Sequence, residues 1–121
     1  MVLYSLDPEN HHNGDLYTDT MFHGFYILDS AEITDKNEQR GLLRALARGA
    51  SENNDQVMAC FNPRHALHVE QNGRSIDFAI CFECLQVETR GFDHGDFLTS
   101  ASPEPTFDQS IRTHHLRFAP K

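Results

Sequence analysis

The stretch that decides the fold is Ala66-Leu67-His68-Val69-Glu70-Gln71-Asn72-Gly73-Arg74-Ser75-Ile76-Asp77-Phe78-Ala79-Ile80. Asn-Gly between two alternating runs is the strongest short hairpin signal, because both central residues of a type I′ turn need positive φ. A two-residue loop pairs Gln71 with Arg74, Val69 with Ile76, Leu67 with Phe78 and His65 with Ile80. That register sends Leu67, Val69, Ile76, Phe78 and Ile80 to one face, and His68, Glu70, Ser75 and Asp77 to the other. A slip of one residue would mix the two sets, so turn and pattern support each other.

Working outward, the segment before the hairpin carries the clear helix. Asp35 is a good N-cap, and Glu38 three residues on can complete a capping box. Leu42, Leu43, Leu46 and Ala50 recur at helical spacing and form the expected buried stripe. Gly49 and Ser51-Glu52-Asn53-Asn54-Asp55 end it. Lys36, Arg40, Arg44 and Arg48 make a second stripe on its flank. That stripe reads either as an anion-binding ridge or as a solvated flank paired with the acidic segment before it.

Phe22 to Ile33 is rich in aromatic and β-branched residues and reads as a strand, with Gly24 as a bulge. Gln56 to Phe61 reads as another, closed by Pro63. Pro103 to Pro105 leads into a short helix around Thr106 to Arg112. Residues 1–21, with Asp7-Pro8 and Asn10-His11-His12-Asn13-Gly14, read as an irregular arm before a single domain over 22–121. The fold class is α+β: one main helix on an antiparallel sheet, in a cystatin-like order β-α-β-β-β.

Composition narrows function by exclusion. The 121 residues carry a net charge of −8, which argues against binding nucleic acid backbone. No apolar run is long enough to cross a bilayer, and Met1 to Asp7 lacks the basic and apolar regions of a secretory signal. Three cysteines, an odd number, favour a reducing, cytoplasmic setting. No spacing singles out a carboxylate acid–base pair, no Gly-rich phosphate loop occurs, and Cys60 with His65 lacks a third, orienting group.

Two constellations remain. Cys60-x4-His65, then fifteen residues, then Cys81-x2-Cys84 supplies three thiolates and an imidazole, a tetrahedral zinc set. The hairpin register points His65 and Cys84 to the apolar face and Cys81 to the other, so convergence needs a bend or bulge. Buried packing is the plainer role for such thiols. The other constellation is charge: residues 1 to 35 hold seven carboxylates and no Lys or Arg. Asp7, Asp15, Asp19, Asp29 and Glu32 would then attract a basic protein, against the plainer reading of a solubilising surface.

The strings Cys60-Phe61-Asn62-Pro63-Arg64-His65-Ala66 and Ile80-Cys81-Phe82-Glu83-Cys84 resemble a family of small, uncharacterised bacterial proteins with the pattern C-F-x-P-R-H-G … I-C-F-x-C. The resemblance extends to Phe22-His23-Gly24-Phe25 and Pro105-Thr106-Phe107-Asp108, with Ala66 in place of the expected glycine. It implies one full-length domain and no particular chemistry. Two functional expectations follow. One is a non-catalytic, acidic, cytoplasmic binding protein that neutralises a basic partner, as immunity proteins and antitoxins do. The alternative is a zinc-binding or thiol-dependent protein centred on the Cys/His cluster.

Overall fold

The computed structural model describes residues 1–12, 14–58 and 61–121. Its elements run β1 (Val2–His11), β2 (Met21–Phe22), β3 (Phe25–Glu32), α1 (Lys36–Glu52), β4 (His65–Gln71), β5 (Arg74–Cys81), β6 (Gln86–Arg90), β7 (Phe97–Leu98) and α2 (Glu104–Thr113). The strands form one antiparallel sheet in the order β2-β3-β1-β4-β5-β6-β7. Both helices pack on one face, giving the expected two-layer α+β arrangement.

The β4–β5 hairpin has the register its sequence dictates, from Gln71 opposite Arg74 to His65 opposite Ile80. Asn72 and Gly73 both take positive φ, as the turn requires. His23 and Gly24 form a second two-residue turn of the same kind, at φ 47° and 90°, so Gly24 is a hairpin turn rather than a bulge. A Cβ on Gly24 would lie 2.5 Å from the Gly14 carbonyl oxygen, so this turn has room only for glycine.

The sequence-based arm over residues 1–21 is overturned at its start: β1 is an interior strand, between β3 and β4. Strands buried on both faces lose the polar alternation that marks a half-buried strand. Leu3 and Leu6, on opposite faces, are both fully buried. Asp7-Pro8 falls where the β1–β3 pairing shifts register, between Leu6 and His11, a place where a missing N–H is tolerated. Because β1 intervenes, the strands before and after α1 are not neighbours, unlike a simple β-α-β-β-β wrap.

Asp35 caps α1 as expected, its carboxylate accepting from the N–H groups of Asn37 and Glu38. Glu38 instead accepts from His114 Nε2 at 2.9 Å. The helix buries Leu42, Ala45, Leu46 and Gly49, whereas Leu43 stays 37% exposed. Of the strand expected over 56–61, Gln56–Met58 and Phe61 are irregular; Ala59 and Cys60 lie outside the described residues. The α2 helix begins two residues before its expected start, at Glu104.

Candidate functional site

Cross-strand partners share a face, so the ladder sorts side chains into rows. On the helix face one row reads Asp29, Ser5, His65, Ile80, Val87 and Phe97. On the helix-free face the next rows read Glu32, Val2, His68, Asp77 and Arg90, then Ser30, Tyr4, Ala66, Ala79 and Glu88.

The loop between β1 and β2 folds over the helix-free face and completes an ionic cluster there. His23 directs Nδ1 to Asp15 and Nε2 to Asp77, both at 2.7 Å. His68 directs Nδ1 to the other oxygen of Asp77 at 2.5 Å and Nε2 to Glu70 at 3.0 Å. Arg90 donates to Asp15 at 3.0 Å. A neutral imidazole has a single N–H, so imidazolium is the form that satisfies both nitrogens of each ring. Burial lowers both histidines, but hydrogen bonds to Asp77 and Asp15, and to Glu70 and Asp77, outweigh it and hold them above their ordinary value. The Arg90 hydrogen bond keeps the Asp15 carboxyl below its usual range. Burial, then the charge of Asp96, raises Glu88.

Above this cluster stands an aromatic tip. Tyr17 shares a 2.9 Å hydrogen bond between its hydroxyl and that of Tyr4. Its ring lies 5.0 Å from His23, 5.5 Å from Phe22 and 6.3 Å from His68. It is nonetheless 44% exposed, and Leu16 beside it 42%.

The helix face carries a different histidine site. His65, 1% exposed, packs against Phe82, Phe107 and Phe118, with ring centroids at 5.3, 5.8 and 4.9 Å. Its Nε2 bonds Asp108 at 2.9 Å, and Lys121 closes on the same carboxylate. Arg64 bonds Glu83 and the Pro120 carbonyl. Ser5 stands opposite His65, completing the residue types of a catalytic triad. Its Oγ, however, is buried and makes no hydrogen bond among the described residues, so no proton relay links the three.

The metal set is dispersed. Cys81, the last residue of β5, and Cys84, in the turn before β6, are joined by a disulfide and so present no thiolates. His65 is engaged by Asp108, and Cys60 lies outside the described residues. Among the described residues no group of three or more His, Cys, Asp or Glu is arranged to hold a metal ion.

The five acidic candidates do not form one patch either. Asp7 accepts from Asn10 and Glu9 within β1, Asp15 belongs to the ionic cluster, and Asp29, on the helix face, accepts from the Arg117 N–H. Asp19 and Glu32 are exposed, with no ion pair among the described residues. The sequence placed His68 and Asp77 together on the polar face. It offered Asp15 only as one of the acidic candidates, and gave no sign that a loop and a third strand bring Asp15, His23, Tyr17 and Arg90 to that face. Comparison of the chain with protein-family models, curated proteins and solved structures finds no match. Among the described residues no helix is long and apolar enough to cross a membrane.

Proposed function

We propose that the protein is a non-catalytic binding protein that captures a basic protein partner on its helix-free face. It would act as immunity proteins and antitoxins do on their toxins; the Cys81–Cys84 disulfide does not fit the reducing, cytoplasmic setting expected from the odd cysteine count. The observation that carries this reading is the exposed Leu16–Tyr17 tip, braced by Tyr4 and the two histidines and set among carboxylates. Glu32 and Glu70 lie on that face, and Asp19 in the covering loop. A rigid aromatic anchor with a charged rim is the anatomy of an interface hot spot. The charge of −8 supplies steering toward a cationic surface.

The ionic cluster supports binding over catalysis. Both nitrogens of His23 and of His68 are occupied by carboxylates of the same chain, leaving no free nitrogen to take a substrate proton. Zinc would require reducing the Cys81–Cys84 bridge and releasing His65 from Asp108. No observation favours that step.

The test is calorimetric titration with the basic product of a reading frame adjacent to this protein's gene, at low and high salt. Tyr17→Ala should weaken binding by about 2 kcal/mol or more, the scale of an anchor residue. Replacing Asp19, Glu32 and Glu70 by their amides should flatten the salt dependence. Unchanged affinity and salt response in both variants would sink the proposal.

A further inference from the structure

On the helix side, an apolar groove of about 250 Å³ runs between α1 and the β5–β7 end of the sheet. Leu43, Ala47 and Ala50 form its helical wall, and Phe78, Phe92 and Phe97 form the other. The three rings stack edge to face or tilted, with centroids 5.6 to 6.3 Å apart, which makes that wall rigid. Leu43, which its spacing assigns to the buried stripe, is one of the few large apolar side chains left exposed.

The groove's outer rim is cationic. Arg40 and Arg44 are exposed one turn apart beside Leu43 and Ala47. Among the described residues, Lys36, Arg40, Arg44 and Arg48 enter no ion pair, although the chain has eighteen carboxylates. The pairing with the acidic N-terminal segment expected from sequence is therefore not made. Arg40 bonds the Asn37 side chain, and Arg48 bonds Ser102. On the far rim, Asp93 is paired with Arg74, and Asp96 accepts from Thr89.

We propose that this groove docks an acidic amphipathic helix of a partner protein. The alanines at 47 and 50 leave a recess in which apolar side chains of a second helix can seat. Arg40 and Arg44, about 6 Å apart along the axis, match carboxylates spaced i, i+4 on the incoming helix. The groove's concavity, between the α1 wall and the wall of three phenylalanines, opposes a flat bilayer surface. The site lies on the opposite side of the sheet from the Tyr17 surface and does not depend on that surface's function.

The test uses a fluorescein-labelled helical peptide about five turns long, with a leucine face and a glutamate flank, and its counterpart with lysines on that flank. Anisotropy should show saturable binding of the acidic peptide, with a Kd on the order of 10 μM. The lysine peptide, and the Arg40→Gln/Arg44→Gln double variant, should each bind about tenfold more weakly. Ala47→Glu, on the exposed flank of α1, should abolish binding while thermal unfolding shows the fold intact. Methyl resonances of Leu43 and Ala47 should shift on titration. Absence of saturation at about 1 mM, equal binding of the two peptides, or unmoved Leu43 and Ala47 methyls would overturn the proposal. So would a preference for phosphatidylserine vesicles over the acidic peptide.

Discussion

His65 and His68 stand three residues apart on β4, and the strand sends them to opposite sides of the sheet. His65 is sealed among Phe82, Phe107 and Phe118 with one carboxylate, Asp108. His68 lies 19% exposed in a chain of charges running from Glu70 through Asp77 and His23 to Asp15 and Arg90. The same side chain is a structural wedge on one face and a link in a solvated network on the other. What separates them is the layer above: two helices and a C-terminal tail cover the first face, while the β1–β2 loop and Phe61 cover only part of the second.

This contrast predicts unequal costs of deletion. His65→Ala removes a fully buried ring and leaves Asp108 without its imidazole partner, an expected loss of about 2–4 kcal/mol. His68→Ala removes a partly exposed link, expected to cost about 1 kcal/mol or less. Urea titration of the two variants measures the difference. Equal losses would mean that the helix-free network bears as much of the fold as the covered core.

How far each face was legible follows from the reach of the signals. The β4–β5 register and the segregation of His68 and Asp77 from Leu67 and Phe78 came from a local turn and a period of two. The Asp35 cap was legible for the same reason: its partners lie within three residues. β1 was misread because an interior strand is buried on both faces and shows no alternation, while Pro8 and the Asn-His run imitate a loop. The candidate sites were less legible still. Asp15 meets Arg90 across 75 residues, and His65 meets Asp108 across 43, and no local pattern encodes such pairings. Leu43 was assigned to the core by helical spacing, but α1 faces the groove there rather than the sheet.

A second expectation compares two glycines of α1. Gly41 has nothing within 4 Å of the place a Cβ would occupy, whereas a Cβ on Gly49 would overlap Thr99 Oγ1 and lie 2.6 Å from Pro103 Cγ. Gly41→Ala should therefore stabilise by up to about 1 kcal/mol through helix propensity alone. Gly49→Ala carries the same propensity gain against overpacking, with an expected net loss of about 1–2 kcal/mol. Thermal unfolding of both variants decides the matter. A stabilised Gly49→Ala would show that the segment from Thr99 to Pro103 yields, and that the helix layer is less rigid than the sheet it covers.

The gentlest probe of the two faces is pH. His23 and His68 have folded pKa values raised above the ordinary 6.5. Between 6.5 and those raised values the native state binds more protons than the unfolded chain, so stability falls as pH rises. The contribution is fully present below pH 6.5 and disappears as the pH passes the folded values. Asp15 and Asp108 act in the opposite sense: their lowered pKa values add stability above the usual carboxyl range, lost on acidification. The midpoint of urea unfolding should therefore decline on the alkaline side of pH 6.5 in the wild type. In Asp77→Asn, which removes the anion shared by both imidazoles, that decline should be much shallower whatever the variant's absolute stability. A slope unchanged by the substitution would place the titrating charge elsewhere, and would leave the helix-free network a set of contacts without electrostatic coupling.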